Sequence, residues 1–344
     1  MFHDLTIRAV RPETSDAVAI SFDYMPGFDW LPGQYLTLRA TVAGQDIRRS
    51  YSIASLPGEP LTVGVKRVPD GAFSGFAMGL KAGDTLQVMP PQGRFIWQGE
   101  ARVVLIAAGS GVTPMLSIAG AALAAGAAVT LVYGNRATGT IMFRDALDRL
   151  KDRYMDRFTL IHILSREAQD IDLLHGRVTG DRVARLAQAG AVDLDGAEGV
   201  FLCGPGEMID DVAAMLTARG IPDARVHHER FFSAGAVPRA RSVLAEAVAA
   251  TGVSVDLVLD GVRRSFAVAA DDASVLEAAE RAGLDLPYSC RGGMCCTCRC
   301  KVAEGSAEMA VNYSLEAWEI AAGFTLACQA RPTSDRLVLD FDAA

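Results

Sequence analysis

Hydrophobic positions change rhythm twice along the chain. Over residues 1–98 they come in short runs, Val18–Phe22, Tyr35–Arg39, Arg49–Ala54, Leu61–Lys66 and Thr85–Met89, separated by Pro-Gly, Ala-Gly and Pro-Asp-Gly turns. Short strands and frequent turns, without long helical stretches, predict a small antiparallel β-barrel. Residues 99–233 instead interleave strand-like segments at 103–107, 129–133, 158–163 and 199–202 with helical segments at 114–125, 142–151, 178–189 and 206–218. That alternation predicts an α/β domain, a parallel sheet with helices on both faces. Residues 234–250 carry Gly235, Pro238 and then an Ala-rich stretch, which reads as a linker that is helical in part. Within 251–344 a strand pair turns at Asp260-Gly261, and a helix is expected over Ala273–Ala282 with Asp271 and Asp272 near its positive end. A cysteine-rich loop follows.

Residues 103–135 carry no charge, which raises the question of a membrane helix. The run is interrupted at Gly109, Gly111, Pro114, Gly120, Gly126 and Gly134, and its β-branched residues gather at the two ends. It therefore reads as two buried parallel strands joined by a crossover helix, and no membrane span is expected.

Half of the 344 residues are apolar and 22% are charged, a globular composition. The net charge of −8 argues against a nucleic-acid partner and suits a basic patch on a protein. From Thr251 onward 8 basic residues face 14 acidic ones, a net of −6, so the last part is a separate acidic unit. Such acidity serves docking or is simply a solvated surface. Seven cysteines occur and five fall between Cys290 and Cys300, unlike a secreted disulfide scaffold. The N-terminal residues show no basic region followed by an apolar core, so a reducing, cytoplasmic setting is expected.

The cysteine spacing carries the strongest chemical signal. Cys290, Cys295 and Cys298 form C-x4-C-x2-C, and Cys328 follows after twenty-nine intervening residues. This is the plant-type [2Fe–2S] arrangement, whereas zinc knuckles come as paired C-x2-C units. Gly292 and Gly293 let the backbone approach the sulfurs closely. Cys296 and Cys300 fall outside the pattern and read as residues packed near the loop.

Ser289–Val302 and Leu326–Arg331 resemble a plant-type ferredoxin domain covering about residues 253–344, which implies an α+β, β-grasp-like fold. Arg49-Ser50-Tyr51-Ser52 resembles the flavin-binding R-x-Y-S segment of the ferredoxin–NADP reductase superfamily. The resemblance implies Arg49 on a flavin phosphate, Tyr51 against the isoalloxazine and Ser52 near flavin N5. Gly71-Ala72-Phe73-Ser74 matches the superfamily's second flavin element and implies FAD rather than FMN, since only FAD has a pyrophosphate. Gly64-Val65-Lys66 adds to the likeness.

Gly109-Ser110-Gly111-Val112-Thr113-Pro114 opens a helix after a buried strand and is not the G-x-G-x-x-G fingerprint. It resembles the superfamily's nicotinamide loop. Cys203-Gly204-Pro205 resembles the segment that borders the nicotinamide, and Glu229-Arg230-Phe231 the terminal element, with Phe231 over a flavin face and Glu229 near the nicotinamide ring. The adjacent His227 and His228 face opposite ways on a strand, which disfavours joint metal ligation. Ser165-Arg166, with help from Arg136, resembles the pair that holds the 2′-phosphate of NADPH, although NADH stays possible.

Nearly the whole chain thus resembles an oxygenase reductase of that superfamily, nearest to those serving phenylacetyl-CoA epoxidase. The resemblance implies an NAD(P)H-dependent oxidoreductase that passes a hydride to FAD, and then single electrons through the [2Fe–2S] cluster to an oxygenase, epoxidase or desaturase component. A di-iron epoxidase is the expected acceptor, with a Rieske oxygenase or fatty-acid desaturase as alternatives. A redox-responsive binding protein and a self-contained NAD(P)H oxidase are the rival readings.

Overall fold

The computed structural model describes residues 2–231 and 240–343. The chain divides into two compact units, the first ending at Phe231.

The first unit begins with strands β1 (His3–Thr14), β2 (Ala17–Phe22), β3 (Tyr35–Val42), β4 (Gln45–Ser52), β5 (Thr62–Lys66) and β6 (Thr85–Val88), with the short helix α1 (Ala72–Ala77) between the last two. They pair antiparallel in the order β4-β3-β6-β1-β2-β5, and an Ile53–Val63 bridge joins the two ends of the sheet. The expected barrel is therefore present. Strand β2 is buried along almost its whole length. Val18, Ile20 and Phe22 fill the barrel, while the small Ala17 and Ala19 face a second core outside it. The two-residue side-chain period of a strand is what separates these sets.

That second core belongs to a parallel sheet. It contains β7 (Arg102–Ala108), β8 (Ala128–Asn135), β9 (Phe158–Leu164), β10 (Gly199–Gly204) and β11 (Val226–Arg230), ordered β11-β10-β7-β8-β9. The helices are α2 (Val112–Ala124), α3 (Arg144–Arg153), α4 (Gly180–Gln188) and α5 (Gly206–Ala218). Val103, Leu105 and Ala107 face the core shared with α2 and α3, whereas Val104 and Ile106 face α4 and α5. Helices thus cover both faces, as a buried parallel sheet requires. Helix α3 starts two residues later than its pattern suggests, because Phe143 adopts a left-handed φ of 56° and breaks the helical turn.

The charge-free run is β7, α2 and β8. Helix α2 is apolar nearly all round because the sheet lies on one side and the barrel residues Ala17, Ala19, Ala54 and Phe95 on the other. Among the described residues no helix is long and apolar enough to cross a membrane.

The second unit contains α6 (Val243–Thr251), β12 (Val253–Leu259), β13 (Val262–Val268), α7 (Val275–Arg281), β14 (Arg299–Glu304), β15 (Ala307–Met309), α8 (Ala317–Ala321), β16 (Phe324–Leu326), β17 (Ala330–Pro332) and β18 (Arg336–Asp340). Its main sheet runs β13-β12-β18-β14-β16, with β12 and β18 parallel. Asp260 and Gly261 both have positive φ, 54° and 71°, which is the hairpin turn their sequence predicts. Helix α7 is capped by the Ser274 hydroxyl, which accepts the Glu277 N–H. Asp272 lies just before this cap, near the helix end as expected. It is buried and holds the Arg281 guanidinium through two hydrogen bonds of 3.0 and 2.6 Å.

Within the expected linker, residues 240–250 are held by the second unit. Arg241 donates to the Ala270 and Asp272 carbonyls, and the Ser242 N–H to the Glu308 carboxylate, so residues 240–251 belong with the second unit. Gly235 and Pro238 lie outside the described residues.

Candidate functional site

Within the first unit, the segments singled out as flavin- and nicotinamide-binding converge. Ser52 ends β4, is 2% exposed, and donates a 2.9 Å hydrogen bond to the Glu229 carboxylate on β11. Glu229 retains some exposed surface as a residue, yet desolvation pushes its carboxyl up to about 7, and the Ser52 hydroxyl pulls the other way. Cys203 lies directly beside Glu229 in the β10–β11 register. Burial, and then the nearby Glu229 charge, push its thiol well above the ordinary range, so it stays neutral. Phe231 packs against the core that holds Cys203.

The two flavin segments also meet. The Tyr51 ring stands 5.6 Å from Phe73 in α1, and burial drives the Tyr51 hydroxyl pKa upward. Arg49 points outward and donates to the Arg48 carbonyl at 2.7 Å, with Ser50 half-buried beside it. The Gly71–Ser74 turn is held by Ser74 itself, whose hydroxyl accepts the Val68 N–H and donates to the Gly71 carbonyl, each at 3.1 Å. Ser74 therefore shapes the turn, while Ala72 and Phe73 open α1 behind Gly71.

The Gly109–Pro114 loop enters α2 from β7. Gly109 has a φ of +56°, and its carbonyl accepts the Tyr133 hydroxyl at 2.9 Å. A Cβ on Gly111 would lie 2.1 Å from the Cys203 carbonyl, so only glycine lets this loop sit against the Cys203-Gly204-Pro205 strand end. Thr113 is buried and donates to the Ser110 carbonyl at 2.9 Å. Its methyl would be 2.6 Å from a Cβ on Gly64, and this close approach seats the Gly64-Val65-Lys66 strand on the loop.

Further along the strand ends, the Ser165 and Arg166 N–H groups donate to the Asn135 and Arg136 carbonyls at 2.9 and 2.7 Å. The two segments lie side by side at the carboxyl edge of the sheet, the usual ligand edge of such folds. Arg136 is already engaged, donating to Asp16 at 3.0 Å. Asp16 is not recognisable from sequence, since it sits in an ordinary β1–β2 turn. The same holds for the Tyr133 hydroxyl, which reads as plain core. His227 stacks on Phe201 with ring centroids 4.7 Å apart.

In the second unit, the Cys290–Cys300 loop is bent by left-handed residues Arg291, Gly293 and Cys296. A Cβ on Gly293 would lie 2.9 Å from the Val311 carbonyl. The Cys290 sulfur accepts the Gly292 and Met294 N–H groups at 3.3 and 3.4 Å. Among the described residues no three His, Cys, Asp or Glu side chains converge on a single ion. The four thiols all interact, Cys290 with Cys295 and Cys328, and Cys298 with Cys328 and Cys295. Four thiols so grouped fit a [2Fe–2S] cluster, which would take four thiolate ligands. Cys290 is pulled down to about 6, first by Cys295 and then by backbone N–H groups that oppose the cost of burial. Cys328 is lowered by Cys298, and the Gln329 side chain donates to its sulfur. Cys300 is fully buried in β14 and Cys296 packs partly against the core. The loop is braced by a buried ion pair that sequence does not reveal: Arg299 donates to Glu319 at 2.8 Å and lies 3.5 Å over the Phe324 ring.

Comparison with known proteins follows the same division. Residues 18–97 match the oxidoreductase FAD-binding domain family, 105–214 the oxidoreductase NAD-binding domain and 257–333 the 2Fe-2S iron-sulfur cluster binding domain. The chain is 45% identical to a subunit of 1,2-phenylacetyl-CoA epoxidase from Escherichia coli (strain K12), over 99% of this chain and 98% of that protein. It is 35% identical to the ferredoxin reductase component of 3-ketosteroid-9-alpha-monooxygenase from Rhodococcus rhodochrous, over 98% and 96% of the two chains. Among solved structures, phthalate dioxygenase reductase superposes with a TM-score of 0.58 at 24% identity, covering 99% of this chain and 98% of its own, a likeness of fold.

Proposed function

The chain belongs to the oxygenase reductases that join FAD-binding, NAD-binding and C-terminal [2Fe–2S] domains, and from that membership we propose that it carries electrons from NADPH to a phenylacetyl-CoA epoxidase-type di-iron oxygenase component. The observation that supports this reading best is the Ser52–Glu229 hydrogen bond, which brings the end of the flavin barrel to the end of the nicotinamide sheet. When bound, FAD supplies two-electron hydride acceptance with one-electron release, and the cluster supplies single-electron transfer.

The chain's own residues position and shield. Arg49 offers an exposed guanidinium to a phosphate, and Tyr51, backed by the buried Phe73, offers aromatic surface to a flat ring. Gly109, Ser110, Gly111, Thr113 and Pro114 present a helix entry to the dinucleotide, and Cys203 with Phe231 closes the neighbouring core. Glu229 holds a proton near neutrality, with the Ser52 hydroxyl as its neighbour. Cys290, Cys295, Cys298 and Cys328 would hold the cluster through their thiolates. Ser165 and Arg166 favour NADPH over NADH, because a guanidinium and a hydroxyl suit a ribose phosphate. The Escherichia coli relative, a phenylacetyl-CoA epoxidase subunit, favours the di-iron epoxidase as acceptor, and the steroid monooxygenase relative keeps another oxygenase as the second candidate.

A Cys298→Ser variant tests the path. Ferricyanide takes electrons from the flavin, so its reduction should survive, while cytochrome c reduction and most of the bound iron are lost. Full cytochrome c reduction in that variant would make the C-terminal unit dispensable and favour a self-contained oxidase.

A further inference from the structure

We propose that Asp16 sets how strongly this reductase discriminates NADPH from NADH, by holding Arg136 away from the ribose 2′-phosphate. The inference rests on the NADPH reading above and adds a residue to it. Arg136 follows β8, and its carbonyl accepts the Arg166 N–H, so its backbone lies beside Ser165 and Arg166. Its side chain turns elsewhere, donating to the Asp16 carboxylate at 3.0 Å. Lys66 approaches the same carboxylate oxygen at 3.8 Å. Asp16 is locked in place from its own side: Thr14 donates to the other carboxylate oxygen at 2.7 Å, and the Arg67 N–H donates to its carbonyl at 2.7 Å.

The carboxylate thus sits between two cations, in the manner of a bound anion. A 2′-phosphate reaching this edge competes with it for Arg136. A ribose hydroxyl, as in NADH, carries no charge to compete with. Asp16 therefore limits NADPH preference while leaving NADH use alone. Both partners keep solvent contact, with 48% of the Arg136 side chain and 24% of the Asp16 side chain exposed, so the effect is modest.

The experiment uses the full flavoprotein. Asp16→Asn keeps the shape and the Thr14 contact and removes the charge. It should raise the NADPH/NADH ratio of kcat/KM about threefold to fivefold, with kcat/KM for NADH unchanged. Calorimetry with 2′,5′-ADP and with AMP gives a readout independent of turnover: the variant should bind 2′,5′-ADP more tightly by the same factor and AMP equally. In an Arg136→Gln background, Asp16→Asn should do almost nothing. Asp16→Ser repeats the test should the Asn variant fold poorly. An unchanged ratio, or a gain that persists without Arg136, overturns the proposal. Failure of the NADPH reading looks different: wild type then binds 2′,5′-ADP no better than AMP, and Arg166→Ala alters neither.

Discussion

The Ser52 hydroxyl donates to the Glu229 carboxylate across 2.9 Å, one group from the barrel and the other from the last strand of the parallel sheet. Burial raises the Glu229 pKa from an ordinary 4.5 to about 7 and the Ser52 contact opposes that rise. Removing the contact in Ser52→Ala should move the Glu229 midpoint above 7, read from the pH profile of ferricyanide reduction. Glu229→Gln should erase that midpoint.

The same shift links stability to pH. The folded state holds the Glu229 proton more tightly than the unfolded chain does, so its stabilising contribution is complete below pH 4.5 and is lost as pH rises through about 7. Wild type should lose up to roughly 3 kcal/mol between those limits that Glu229→Gln does not lose. Thermal melts of both proteins at about pH 5 and about pH 8 give the comparison.

Gly111→Ala should damage the loop between β7 and α2, the segment proposed to receive the nicotinamide cofactor. The new methyl would meet the Cys203 carbonyl at 2.1 Å, and backbone on both sides leaves little to yield. A stability loss of about 1–3 kcal/mol is expected, with a raised KM for NAD(P)H and near-normal flavin content. Thermal denaturation and flavin absorbance separate these effects.

Glu319 is fully buried against Arg299, next in sequence to Cys298. Glu319→Ala would strand the guanidinium and should cost about 3–5 kcal/mol in the second unit. Melting followed at the iron–sulfur bands should show it, while the flavin signal of the first unit melts as before.

Cys203 is fully buried and its thiol is held neutral by burial and by Glu229. Iodoacetamide should leave it unmodified in the folded protein and alkylate it after denaturation, as mass spectrometry would record.

Much of the fold is legible in the sequence because it depends on local pattern. The alternation of strand and helix in 99–233 yields the sheet, and the cysteine spacing yields the loop. The Asp260-Gly261 turn follows from φ preferences at two residues. What escapes depends on contacts between distant segments. Asp16 is an ordinary turn acid until folding sets it against Arg136, 120 residues away. The Glu319–Arg299 pair joins α8 to β14 with no periodic signature. The start of α3 is misplaced by its pattern because nothing in Phe143 announces a left-handed backbone. Strand β11 is short, its adjacent histidines mask its alternation, and its place comes from pairing with β10.

Electron flow from nicotinamide through flavin to cluster is tested most directly by anaerobic spectral titration of the purified holoprotein with NADPH and, separately, with NADH. The predicted result is bleaching of the flavin bands followed by loss of the iron–sulfur bands, reached with less NADPH than NADH. Flavin bleaching that leaves an intact cluster oxidised, or no bleaching with either donor, would contradict it.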